Sequence, residues 1–183
     1  WEMSGVSHKF HACCHGLHAM LEALAGLDLP PGELDRATIR THPRWRAVCD
    51  QPAPRTGLEA KFSYRLTAAM ALSGRDTGDP ASYTEAACAD PALIAVRDRI
   101  EVVFDRALAE TEAVVDVTAR GGRAHRLHHD IAAPEPAERL VPRLEAKART
   151  LVGPDRAHVL AAAVLADEPD LAGLCELLRN APA

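Results

Sequence analysis

Residues 112–130 read Glu-Ala-Val-Val-Asp-Val-Thr-Ala-Arg-Gly-Gly-Arg-Ala-His-Arg-Leu-His-His-Asp, and this stretch determines the fold class. Apolar and polar side chains alternate over residues 112–119, which is typical of a β-strand with one buried face. The side chains on that face are Ala113, Val115 and Val117. A second strand is predicted over residues 123–130, and Gly121-Gly122 favours a two-residue turn between the two strands. The stretch therefore predicts an antiparallel hairpin.

Outside the hairpin, one strand is predicted over residues 99–106 and another over residues 36–49, where Pro43 imposes a bulge or an edge position. Apolar residues at spacings of three and four predict helices around these strands. Their ranges are 11–25, 58–73, 80–88, 91–98, 135–151, 154–166 and 169–179. Together these elements predict one α+β domain over residues 1–183, with a small, largely antiparallel sheet of three to four strands packed with several helices.

The composition narrows the class of protein. The chain has 183 residues, of which 48% are hydrophobic, enough for one domain with its own core. With 21 Lys and Arg against 26 Asp and Glu, the net charge is -5, which disfavours nucleic-acid binding because phosphates require a basic surface. No apolar run is long enough for a membrane span. The five cysteines lack the spacing of a disulfide framework, which indicates a reducing cytoplasm.

Ionisable side chains are concentrated near the start of the chain, where residues 8–18 hold one lysine, four histidines and two cysteines. The predicted helix brings His11, His15 and His18 close together, with Lys9 just before it or in its first turn. Three interpretations follow. The histidines and Cys14 form a metal site; the lysine and histidines form a pocket for a carboxylated substrate; or the histidines only satisfy hydrogen bonds in the core.

Two further motifs stand out in the sequence. The first is Lys9-Phe10-His11-Ala12-Cys13-Cys14 followed by His18-Ala19-Met20-Leu21-Glu22-Ala23. The second is Leu58-Glu59-Ala60-Lys61-Phe62-Ser63 followed by Ala68-Ala69-Met70-Ala71-Leu72. Both resemble motifs of the MmgE/PrpD family, which includes 2-methylcitrate dehydratase. A third, looser block over residues 99–122 is similar to late strands of the family.

The resemblance implies that this sequence matches only the later portion of a longer protein. Members of the family have a helical N-terminal domain and a smaller α+β domain. The chain begins at Trp1 and not at a methionine. We therefore expect a C-terminal portion without the N-terminal helical domain.

The resemblance also implies a type of chemistry. Members of the family act on small di- and tricarboxylates without a metal or organic cofactor, and each reaction develops negative charge on a carbon next to a carboxylate. Such a site requires fixed cations and side chains that move protons. In the first motif we expect Lys9 and His18 to be catalytic, and His8 and His11 to bind substrate. Three residues in or beside the second motif are expected to bind substrate as well: Arg55, Lys61 and Ser63.

One position departs from the family. Relatives that dehydrate or decarboxylate carry a tyrosine shortly after the second motif, where this chain has Leu66, and Tyr64 lies two residues earlier. On a helix this shift turns the hydroxyl by about 200°.

The expected function is part of a cofactor-independent lyase that dehydrates a hydroxy-polycarboxylate such as 2-methylcitrate. One alternative is an epimerase resembling iminodisuccinate epimerase, and another is a non-catalytic metal-binding or assembly domain. As partners, the resemblance implies the carboxylate substrate, the N-terminal helical domain and a second copy in a homodimer.

Overall fold

The computed structural model describes residues 7–168 and 170–179. It divides into two compact units, one up to Pro134 and the other from Glu135. The first unit is α+β and holds a four-stranded mixed sheet, which confirms the predicted fold class. The second unit is helical.

The sheet contains β1 (Leu34–Thr41), β2 (Ile100–Phe104), β3 (Glu112–Ala119) and β4 (Ala124–Asp130), in the order β2-β1-β3-β4. β1 pairs in parallel with β2, whereas the β1–β3 and β3–β4 pairs are antiparallel. The parallel pair is joined by a helical connection, as a parallel crossover requires.

The helices of the first unit are α1 (His18–Leu24), α2 (Arg46–Cys49), α3 (Gly57–Ala60), α4 (Tyr64–Leu72), α5 (Glu85–Ala89) and α6 (Pro91–Arg97). α1 packs on β3 and β4, α4 packs on β2 and α6, and α1 contacts α4. The two helices thus cover the sheet, whose Ala113, Val115 and Val117 are buried as predicted. Polar residues occupy the opposite face, where Arg40 pairs with Asp116 at 3.1 Å.

The hairpin is confirmed, but its turn is longer than predicted. Ala119 and Arg123 still form a backbone hydrogen bond of 2.8 Å, so the loop holds Arg120, Gly121 and Gly122. Gly122 has φ +79°, the left-handed conformation that closes a three-residue hairpin loop and that glycine adopts without strain.

Three other predicted boundaries are wrong. The strand predicted over residues 36–49 ends at Thr41, because Pro43 begins a 3-10 turn that leads into α2. The helix predicted over 58–73 breaks into α3 and α4, because Ser63 caps a new helix by accepting a hydrogen bond from the Leu66 amide. The helix predicted from His11 begins later, with a 3-10 turn at His15–Leu17.

The second unit consists of α7 (Ala137–Val152), α8 (Pro154–Val164) and α9 (Leu171–Arg179), close to the predicted ranges. α8 packs against both other helices. Gly153, with φ +83°, separates α7 from α8. No helix in the described part of the chain is both long enough and apolar enough to cross a bilayer.

Candidate active site

The two motifs meet in the first unit through backbone hydrogen bonds. The amide of Cys14 donates to the carbonyl of Lys61 at 2.9 Å, and the amide of Ala12 donates to the carbonyl of Thr77 at 2.8 Å. These bonds hold residues 12–14 against two segments far away in the sequence. Cys14 has the extended conformation φ -59° and ψ 142°, so the helical turns start only at His15.

Cys13 lies at the junction of the two motifs. Its thiol hydrogen-bonds with the hydroxyl of Tyr83, and the charges of Lys9 and Lys61 both act on it. The Tyr83 hydroxyl donates to the carbonyl of Thr77 at 2.9 Å, and the Lys61 ammonium lies 5.5 Å from the centre of the Tyr83 ring. The charges of one lysine from each motif therefore act on the same thiol.

The thiols at this junction are not nucleophiles at neutral pH. Burial raises the pKa of Cys13 to about 12, despite the opposing effects of its hydrogen bond with Tyr83 and of the charge of Lys9. Burial also raises the pKa of Cys49, and its hydrogen bond with Cys14 raises it further. Both thiols therefore stay protonated, whereas nucleophilic cysteine chemistry requires the thiolate.

His11, His15 and His18 form a histidine cluster, but each ring has a different environment. The His18 ring centre lies 5.2 Å from that of His11 and 5.6 Å from that of His15. His11 is held at both nitrogens, since Nδ1 lies 2.7 Å from the Thr77 hydroxyl and Nε2 lies 3.2 Å from a carboxylate oxygen of Glu22. The Glu22 contact is close but lacks hydrogen-bond geometry.

His18 is the deepest of the three rings, with 2% of its surface exposed. Burial, followed by the charges of His11, His15 and Lys9, lowers its pKa to about 3. Its Nε2 is buried without a hydrogen-bond partner. His18 is therefore neutral at physiological pH, and substrate contact requires the covering rings to move.

His15 is partly exposed, and its ring centre lies 6.5 Å from the Trp45 ring. Burial and then the charge of Lys9 lower its pKa. Trp45 is fixed in place because its indole nitrogen donates to the carbonyl of Glu110 at 2.8 Å. Gly16 permits this close packing, since a Cβ there would lie 2.5 Å from the Trp45 ring.

The other predicted site residues lie in three different situations. Lys9 and His8 are exposed, and His8 contacts Phe10 at a ring distance of 6.3 Å. Arg55 is exposed in the loop before α3, where its amide donates to Glu59 at 2.6 Å.

Ser63 is fully buried, and its hydroxyl donates to the carbonyl of Gln51 at 2.6 Å while accepting from the amide of Leu66. The hydroxyl of Ser63 is thus used by the fold, whereas the side chains of His8 and Arg55 are exposed.

Tyr64 is also used by the fold. It is fully buried, and its hydroxyl donates to the carbonyl of Gly16 at 2.6 Å and accepts from the hydroxyl of Thr41 at 3.0 Å. Leu66, at the position where relatives carry tyrosine, is fully buried as well. The tyrosine at the junction is therefore Tyr83. Tyr83 was not identified as a candidate from the sequence, because no local pattern links residue 83 to either motif.

The positions of the His, Cys, Asp and Glu side chains bear on the predicted alternative of a metal site formed by the histidines and Cys14. Among residues 7–168 and 170–179, no group of three or more His, Cys, Asp or Glu side chains is placed to hold a metal ion. In particular, His11, Cys14, His15 and His18 do not form such a group.

The comparison with family models matches residues 11–167 to the MmgE/PrpD C-terminal domain. The match includes the second motif, the first motif from His11 onward, the whole described sheet, and the helices α7 and α8, and it begins two residues after Lys9. No curated protein matches the chain.

Proposed function

This chain belongs to the MmgE/PrpD family, and we propose that it is part of a cofactor-independent lyase that dehydrates a small hydroxy-polycarboxylate such as 2-methylcitrate. The observation that carries the proposal is the family match together with the backbone hydrogen bond between Cys14 and Lys61, which joins the motif of Lys9 to the motif of Lys61. Two ammonium groups from different motifs fit a substrate that has more than one carboxylate.

The charge balance around the junction supports an anionic substrate. Glu22 already contacts His11, and Asp76, whose charge acts on Tyr83, accepts a hydrogen bond from the amide of Gly78. Glu59 is used at the start of α3, where it accepts from the amides of Arg55 and Thr56. No ion pair between described residues involves Lys9 or Lys61, so both charges can act on a ligand.

The proposed reaction removes a proton from the carbon next to a carboxylate. The electron pair of that C–H bond forms a C=C bond as the C–O bond of the hydroxyl breaks, and the hydroxyl takes up a proton and leaves as water. The Lys9 ammonium, bound to the carboxylate, stabilises the charge that develops during proton removal. It also carries protons that the leaving hydroxyl can accept.

Further groups of the site are proposed to come from the helical N-terminal domain of the same protein. The support is that Lys9, His8 and Arg55 are exposed in this chain. A second domain over this surface excludes water and strengthens the contacts between the cations and the substrate. A homodimer and a cytoplasmic location complete the proposal, on the family resemblance and the cysteine usage.

A turnover experiment tests the proposal. The protein that joins this chain to the helical domain is incubated with 2-methylcitrate, citrate or iminodisuccinate, and products are identified by NMR. We expect a C=C bond to form from one of the two hydroxy acids, and no turnover by the 183-residue chain alone. Failure to convert either hydroxy acid contradicts the lyase. Inversion of iminodisuccinate without C=C formation selects the epimerase instead, and turnover by the isolated chain contradicts the need for a second domain.

A further inference from the structure

The proposed reaction needs a side chain that takes the proton from carbon, and the histidine cluster offers three candidates. Such a group must be neutral, must have a free nitrogen lone pair, and must reach the substrate. The three rings differ in these respects although their spacing in the sequence is similar.

His11 does not meet these requirements. The Thr77 hydroxyl lies 2.7 Å from its Nδ1, and the Glu22 carboxylate lies 3.2 Å from its Nε2. The side chains of His11 and Glu22 are 14% and 11% exposed. Nδ1 is bonded to Thr77, and Nε2, although it makes no hydrogen bond, is buried beside the Glu22 carboxylate, so neither nitrogen can reach a substrate.

His18 has a free nitrogen but no access. Its Nε2 has no hydrogen-bond partner, yet this atom is buried and the residue is only 2% exposed. The rings of His11 and His15 both contact it. His18 therefore lies behind the other two rings and supports them.

His15 meets all three requirements. It is partly exposed, and within the described residues no hydrogen bond or ion pair holds either of its ring nitrogens. Lys9, the proposed carboxylate ligand, lies close enough for its charge to act on the ring, and Trp45 flanks the ring at 6.5 Å. Burial and Lys9 both lower its pKa, so the ring is neutral at physiological pH.

We propose that His15 is the catalytic base that takes the proton from the carbon next to the substrate carboxylate, with His18 as a positioning residue behind it. The inference rests on the proposed function of the same site. A lone pair of the imidazole forms the new N–H bond, the C–H pair becomes the C=C bond as the C–O bond breaks, and the hydroxyl takes up a proton from the Lys9 ammonium and leaves as water. Lys9, whose charge acts on the His15 ring, holds the carboxylate, and His15 removes the proton from the neighbouring carbon.

A chemical labelling experiment tests access without requiring turnover. Diethyl pyrocarbonate modifies neutral, accessible imidazoles, and peptide mapping of the treated chain gives the rate at each histidine. Within the cluster we expect His15 to react fastest, and we expect citrate to slow that reaction. Faster modification of His11 or His18 contradicts the proposal.

Kinetics of the complete protein then test the role directly. We expect His15→Gln to lower kcat/KM by at least about a hundredfold with a nearly unchanged KM, and to remove the acidic limb of the pH profile. His158→Gln, at an exposed histidine of α8, is the matched control and should behave as wild type. An active wild type with His15→Gln within fivefold of it overturns the role of His15 and leaves the lyase intact. An inactive wild type overturns the lyase and this inference together.

Discussion

For the three histidines of the cluster, the sequence predicts that the rings lie close together but not the environment of each ring. Their spacing predicts proximity, and the ring centre of His18 does lie 5.2 Å from that of His11 and 5.6 Å from that of His15. Their individual environments come from distant residues, such as Thr77, which is 66 positions away from its partner His11. Lys9 and Lys61 could be singled out from the motifs, whereas the roles of Tyr83 and Thr77 follow only from the tertiary structure.

At this scale the depressed pKa of His18 predicts how stability depends on pH. Its pKa falls from 6.5 to about 3 on folding, so the unfolded chain binds the proton more readily at intermediate pH. The free energy of unfolding should therefore decrease as the pH is lowered from 6.5 towards 3, by at most about 1.4 kcal/mol per pH unit from this group. Urea denaturation from pH 7 to about pH 5 measures the effect.

His18→Asn is the variant for this measurement. It removes the titrating ring, and its side-chain amide can replace the hydrogen bond that His18 makes with the backbone of Cys13. The variant should lose stability less steeply than wild type as the pH falls. The same substitution at the exposed His158 should leave the slope unchanged. Parallel pH dependence of wild type and His18→Asn contradicts the depressed pKa.

At the scale of elements, local signals predicted the structure well where they were consistent. Alternation located β2, β3 and β4, and helical periodicity located α7, α8 and α9. The boundaries failed where capping and tertiary bonds override periodicity. Thr56 and Glu59 form a capping box that starts α3, and Ser63 then starts α4, so one predicted helix becomes two. Pro43 is compatible with a strand edge and with a helix start, and here it begins a 3-10 turn.

The junction between the second motif and the Tyr83 segment leads to a prediction about Gly57. A Cβ at this position would lie 2.2 Å from the carbonyl oxygen of Tyr83, and backbone cannot yield as a flexible side chain does. Gly57→Ala should lower the free energy of unfolding by about 1–3 kcal/mol, the usual range for overpacking. Thermal denaturation followed by circular dichroism measures the loss.

Gly26→Ala is the control for this substitution, since a Cβ there meets nothing within 4 Å. We expect its melting temperature to stay close to that of wild type. If Gly57→Ala is as stable as Gly26→Ala, Tyr83 is not packed against the start of α3 as described.

At the scale of the whole molecule, the sequence predicts one domain, and the chain divides into two compact units at Pro134. The main hydrophobic core lies in the first unit, where its buried residues extend from Cys13 to Ala119. In the second unit, Ala157 is the one buried hydrophobic residue among those described. Periodicity could predict the helices of the second unit but not how little apolar surface they bury.

This distribution of buried residues predicts that a chain ending at Pro134 folds by itself. The truncated chain keeps every strand and all residues of the main core, so it should unfold cooperatively. Circular dichroism during urea denaturation and amide dispersion in NMR spectra test this expectation. If the truncated chain is unfolded in the absence of urea, the sheet needs residues 135–183 to fold, and one domain over residues 1–183 is the better description.

The central claim about the molecule is that the fold joins two motifs to form a site in which Lys9 acts on a polycarboxylate. The most direct test is kcat/KM of Lys9→Ala in the protein that joins this chain to the helical domain. Loss of a charge that both holds the carboxylate and stabilises the developing negative charge should lower kcat/KM by at least about a hundredfold, with Lys9→Arg recovering binding more than rate. Activity of Lys9→Ala within a fewfold of wild type would contradict the claim.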